Sequence, residues 1–190
     1  MFDGQRLSKE NLFIYCGGAN HYQRTIGGIK PLLQNDYGEE NDCTITSITT
    51  IIAARLPQLN IYEIYNQVET IARKYGYTGN NGTNPIVIRK VYQESLNSFG
   101  IMYSVTSKYM KGIGFTWNFI KDRIERNNQP ILLNLWKDGR NYYYSHSVVI
   151  VGYAYTHNKK FLVVYDNWIK DYSYIDYDKL SLISSIQVIN

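Results

Sequence analysis

The sequence predicts an α+β fold, with helical segments through the first two thirds of the chain and an antiparallel sheet in the last. Three observations predict it. Apolar residues recur at three-and-four spacing between Cys43 and Phe99, short runs rich in Val, Ile, Leu and Tyr follow Pro130, and turn-forming segments separate those runs. At 190 residues the chain reads as one domain, 1–190, with a mainly helical half over about 1–128 and a mainly β half over about 129–190.

The first helix is expected from Cys43 to Leu56, where Ile45, Ile48, Ile51 and Ile52 share one face and Pro57 ends the run. Its many β-branched Thr and Ile residues lower helix propensity, so burial has to hold it. Asn60 with Glu63 forms a capping box for a second helix, whose stripe of Ile61, Ile64, Tyr65, Val68, Ile71, Ala72 and Tyr75 stops at Gly76. A loop follows at Tyr77 to Thr83. Asn84 as N-cap, with Pro85 at the first helical position, starts a third helix that closes near Gly100. A strand at Ile101 to Ser107 and a fourth helix at about Thr116 to Arg126 complete this half. Strands are then expected at Ile131 to Trp136, Ser145 to Tyr155, Phe161 to Tyr165, Tyr172 to Tyr177 and Ser185 to Val188, with turns at Asp138 to Asn141 and His157 to Lys160.

Composition excludes several classes. The 20 Lys and Arg against 16 Asp and Glu leave a surplus of +4 that is scattered rather than striped, which argues against a nucleic-acid partner. No window approaches the roughly 18 apolar residues of a membrane span, and Met1 to Arg6 has no signal-peptide pattern, so the expectation is a cytoplasmic protein. Secretion stays compatible with a removed leader. The three His and two Cys show no zinc spacing, and no Gly-rich phosphate loop appears; Gly17-Gly18 and Gly27-Gly28 read as turns. Neither a metal nor a cofactor is expected, and oligomeric state is not readable.

Chemistry concentrates in three places. Cys43 begins a helix in the polar string Asn41-Asp42-Cys43-Thr44, His146 begins a strongly apolar strand, and Asp166 ends the next one before Asn167-Trp168. A thiol is a poor nucleophile until an imidazolium and a helix N-terminus favour its thiolate, and the histidine in turn needs an orienting group. Cys43, His146 and Asp166 fill those roles in order, with Asn167 the competitor for orienting His146. An acyl-transferring site also needs donors for an oxyanion. Gln34 is the candidate, with Asn35 and Asn41 as competitors. Cys16 is the alternative thiol but has no helix behind it, while His21 and His157 sit in loop-like surroundings. Tyr142, Tyr143 and Tyr144 line a groove or simply pack on the sheet.

The string His146-Ser147-Val148-Val149-Ile150-Val151-Gly152-Tyr153 resembles the histidine strand of papain-like cysteine peptidases, and Asp166-Asn167-Trp168 resembles their Asn-Ser-Trp segment. Within that superfamily the pattern is most similar to double-glycine peptidases of bacteriocin exporters and their stand-alone relatives, which carry an upstream Gln, a nucleophile motif Asp-Cys-Gly and a proline-led strand like Gln129-Pro130-Ile131-Leu132-Leu133. The matched segments run from about Gln34 to Tyr177. Thr44 and Ile45 stand where those families carry Gly and small residues. The resemblance implies a papain-like fold with the cleft between its halves, a bacterial thiol protease acting on a polypeptide, and Trp168 shielding the His146–Asp166 pair. The alternatives are a thioester acyltransferase or transglutaminase-like enzyme using the same residues, and a non-catalytic binding domain on this scaffold.

Overall fold

A computed structural model describes residues 6–16, 18, 21–34, 36–38, 41–110, 115–136, 145–180 and 184–190. Asn35, Gly17, Tyr142 to Tyr144 and the turn at 138–141 lie outside the described residues. The elements are α1 (Lys9–Tyr15), β1 (Tyr22–Thr25), α2 (Cys43–Arg55), α3 (Ile61–Lys74), a 3-10 turn (Pro85–Val87) leading into α4 (Ile88–Ser98), β2 (Val105–Tyr109), α5 (Trp117–Glu125), β3 (Ile131–Leu135), β4 (His146–Tyr155), β5 (Lys160–Tyr165), β6 (Ser173–Asp176), a second 3-10 turn (Tyr177–Lys179) and β7 (Ser185–Ile189).

Every strand pairing is antiparallel, in the order β2-β7-β3-β4-β5-β6. The long strand β4 is the spine. Along one edge β3 pairs with its first half, from His146 to Ile150, and β1 takes over from Gly152 to Tyr155. On the other edge runs β5, with a register irregularity between Ile150 and Gly152. At that point β1 passes so close that a Cβ on Gly152 would lie 2.3 Å from the Arg24 carbonyl oxygen. Only glycine leaves room for this crossing.

The helix expected from Cys43 is α2, and it is buried on all sides from Thr44 to Ile52 rather than along one stripe. Each β-branched residue costs a helix at most about 0.7 kcal/mol against Ala, whereas each fully buried isoleucine contributes about 2 kcal/mol. Ile45, Ile48, Ile51 and Ile52 are completely enclosed, so packing decides the conformation. α3 has the expected stripe, and its cap is made by Asn60 Oδ1 accepting from the Tyr62 N–H at 2.8 Å. Thr116 caps α5 through the Phe119 N–H, and Asn84 caps the turn before α4. Two strands of the first half, β1 and β2, also join the sheet. The α1 helix and β1 have no counterpart in the sequence reading.

Candidate active site

Helix α2 points its first residue at the start of β4, and polar side chains fix the approach. Thr44 Oγ1 lies 2.8 Å from Ser147 Oγ, and Ser47 donates to the Ser147 carbonyl at 3.1 Å. Thr44 thus occupies its position because its hydroxyl meets the strand that carries the histidine. Asn167 adds the strongest stitch. Its Nδ2 donates within 3.2 Å of the Cys43 carbonyl, at 2.9 Å to Ser47 Oγ and at 2.9 Å to the Ser147 carbonyl. It sits at φ 65°, a left-handed conformation that asparagine tolerates better than most residues. Asn167 therefore fastens helix to strand, rather than orienting the imidazole.

The Cys43 thiol, partly exposed, and the His146 imidazole line the same cleft, close enough for each to shift the titration of the other. His146 Nε2 lies 2.7 Å from the main-chain oxygen of Asp166. A carbonyl can only accept, so Nε2 carries the hydrogen and Nδ1 is the nitrogen available to the thiol. The ring is thus held by the backbone of Asp166. The carboxylate of Asp166, completely buried, has its own set of donors: Ser173 Oγ at 2.6 Å, Arg6 Nε at 2.7 Å, and the N–H groups of Trp168 at 3.0 Å and Ile169 at 3.3 Å. It shapes the turn that presents the carbonyl. Trp168 stacks on His146 with ring centroids 4.5 Å apart and planes 26° off parallel.

Charge follows from this geometry. Burial pushes the Cys43 thiol up, but the hydrogen bond and positive charge of His146, with help from the Ser147 backbone and the Thr44 hydroxyl, outweigh it and leave the thiol below its ordinary pKa. Burial pushes His146 down, and the hydrogen bond and negative charge of Cys43, then the Asp166 carbonyl and the Asp166 charge, raise it above its ordinary value. Both shifts run in the direction that favours a thiolate beside an imidazolium. Asp166 is held below the usual carboxylate range: burial opposes ionisation, and Ser173, Arg6 and the Trp168 N–H overcome it.

Both residues open onto a cleft of about 760 Å³. Gln34, Asn41, Gly82, Thr83, Asn84, Pro85, Trp136, Ser147 and Trp168 also line it. Gln34 is placed by its main chain, whose N–H donates to the Asn167 carbonyl at 2.8 Å, and its Oε1 is enclosed without a partner among the described residues. The Asn41 amide is committed elsewhere, donating to the carbonyls of Gly79 and Asn80. Cys16 lies outside this cleft; burial, then Asp176, keep its thiol above the ordinary value despite the opposing charge of Lys159.

Of the expected site residues, the structure brings Cys43, His146, Asp166 and Gln34 together. The roles of Asn167, Ser173 and Arg6 escape the sequence reading. Arg6 and Asp166 are 160 positions apart, and no local pattern marks such a pair.

A family model for the Peptidase_C39 like family matches residues 26–183. Among solved structures, one described as a C39-like peptidase from Bacillus anthracis is 12% identical, with 87% of this chain and 97% of that chain covered at a TM-score of 0.54. A double glycine motif protease from an AMS/PCAT transporter, solved in complex with the leader peptide, is 14% identical over 89% of this chain and 99% of that chain, at a TM-score of 0.46. No curated protein matches the sequence. The B. anthracis likeness speaks for the fold, a papain-like α+β arrangement. The family match runs from the residue after β1 to beyond β6, so that the chain belongs to the Peptidase_C39 like family, within the papain-like cysteine peptidase superfamily.

Proposed function

We propose that this chain is a cysteine peptidase that hydrolyses peptide bonds in a polypeptide through a thioester acyl-enzyme. The observation that carries the reading is that Cys43, at the first turn of a buried helix, and the His146 imidazole, held through Nε2 by the Asp166 carbonyl, open onto one cleft. The Cys43 thiolate attacks the scissile carbonyl carbon and forms a C–S bond. The electron pair displaced onto the carbonyl oxygen is met by the Cys43 backbone N–H, one of the first-turn donors with no partner inside the helix, and by the Gln34 side-chain amide. As the tetrahedral species collapses, the C–N bond breaks and imidazolium His146 gives its proton to the departing amine. Water then adds to the thioester, His146 accepts its proton, and the C–S bond breaks to release the acid and restore the thiolate. Asp166 keeps His146 in the required tautomer through its main-chain carbonyl.

Incubating the protein with iodoacetamide and mapping the modified peptide tests the nucleophile, and digesting a mixture of synthetic peptides tests the reaction. Labelling on Cys43 and cleavage that disappears in Cys43→Ala are expected. Labelling on Cys16 with Cys43 untouched overturns the assignment.

A further inference from the structure

The segment before α1 lies outside the part of the chain that the family model matches, yet it reaches the candidate active site. Leu7, fully buried, pairs with Tyr174 of β6 through two main-chain hydrogen bonds of 2.9 Å each. α1 follows directly, with Leu12 enclosed, the Tyr15 ring edge-on to Phe161, and Tyr15 Oη donating to Asp176. The segment is therefore fastened to the edge of the sheet. From there Arg6 extends to the turn after β5. Its Nε donates to Asp166 Oδ2 at 2.7 Å, and its guanidinium carbon lies 5.7 Å from the centre of the Trp168 ring.

Asp166 and Trp168, both met by Arg6, touch His146 in their turn: Asp166 through the carbonyl at 2.7 Å, and Trp168 through the stacked ring at 4.5 Å. Arg6 thus contacts Trp168 and pairs with Asp166, the two groups that hold the imidazole. A guanidinium suits this place because it donates in a plane and covers an aromatic face at once. We propose that Arg6 is a positioning residue of the thiol site, clamping the 166–168 turn so that the Asp166 carbonyl and the Trp168 ring hold His146 toward Cys43. This rests on the thiol-site reading above and adds to it a residue from outside the family match.

Among the described residues, the titratable or charged groups around the imidazole are the Cys43 thiol from α2 and the Asp166 carboxylate from the turn, with Arg6 behind it. Asp42, at the foot of α2, is enclosed and accepts from Tyr65 and Thr46. Removing the Arg6 cation leaves the Asp166 charge less balanced, which disfavours the thiolate and favours the imidazolium. Both transitions of the pair then move to higher pH.

The test is the rate of Cys43 alkylation by iodoacetamide against pH, in the full chain and in Arg6→Gln, with the His146 ring-proton resonance followed by NMR. Arg6→Gln is expected to shift the alkylation profile upward by roughly half a pH unit, less than a directly contacting charge would produce. The ring-current displacement of the His146 proton by Trp168 is expected to shrink. A profile and resonance equal to the parent's overturn the proposal. If Arg6→Gln does not fold, Arg6→Lys decides, since it keeps a cation for Asp166 but not the flat group over Trp168: a reduced ring-current displacement supports the clamp, and an unchanged resonance overturns it. A parent protein whose Cys43 titrates as an ordinary thiol, with no histidine linkage, overturns instead the thiol-site reading itself.

Discussion

At Cys43 two opposing effects act on one sulfur: enclosure disfavours its charge and the facing imidazole favours it, and the second wins. At His146 burial likewise disfavours the charge, and the facing thiol and Asp166 outweigh it, so its pKa rises where that of Cys43 falls. The proposed peptidase activity should therefore follow a bell in kcat/KM. Its acid side rises as the thiol ionises, below the ordinary value near 8.5, and its alkaline side falls as His146 loses its proton, above the ordinary value near 6.5. A pH profile with a single rise near pH 8.5 would contradict the pair. Cys43→Ala and His146→Ala are each expected to lower kcat by at least about 1,000-fold, measured on any peptide the parent cleaves. Asp166→Ala should cost less, because the contact to Nε2 is made by a main-chain oxygen that the variant retains.

Among the elements, the relation of α2 to β4 determines whether the pair meets at all. Asn167 ties the two together with three acceptors around a single Nδ2, which makes the identity of that atom decisive. Asn167→Asp keeps the shape but turns an oxygen toward three oxygens. It is expected to destabilise the fold by about 3 kcal/mol, read from urea unfolding, where an unsatisfied buried group alone costs about 1–3 kcal/mol. Farther along β4, Gly152 admits β1 at a distance no side chain allows. Gly152→Ala should cost about 3 kcal/mol by forcing the strands apart, again by urea unfolding, with the Cys43 alkylation profile unmoved because the crossing lies away from His146. Loss of stability below 0.5 kcal/mol in either variant would show that the packing relaxes more freely than the distances imply.

For the molecule as a whole, the Asp166 carboxylate joins the chain's first described residues to its last third, and its folded pKa lies below the unfolded one. The sign follows from that: the stability it contributes is complete above the ordinary carboxylate value, about 3.9, and is lost as pH falls through the lower folded value. Thermal unfolding should show Tm dropping steeply below about pH 4, and Asp166→Asn should be less stable at neutral pH with a flatter acid side. Parallel curves for the two proteins would remove Asp166 from the acid response. Among the described residues no helix is long and apolar enough to cross a membrane.

What the sequence determined by itself is everything that rests on local pattern. The α3 stripe, the caps at Asn60 and Asn84, the five strands after Pro130, and the order Cys43, His146, Asp166 could all be read from neighbouring residues, because periodicity encodes which face is buried. β1 gave no such signal, since as a partly exposed strand it lacks a run of apolar residues, and it is a strand only because Gly152 lets it lie against β4. Tertiary structure alone decided that Asp166 turns its carbonyl rather than its carboxylate chain toward Nε2, that Asn167 binds α2 to β4, and that Arg6 arrives beside Trp168. Each of these depends on how segments 20 to 160 positions apart meet, and the spacing of residues along the chain carries no record of that distance in space.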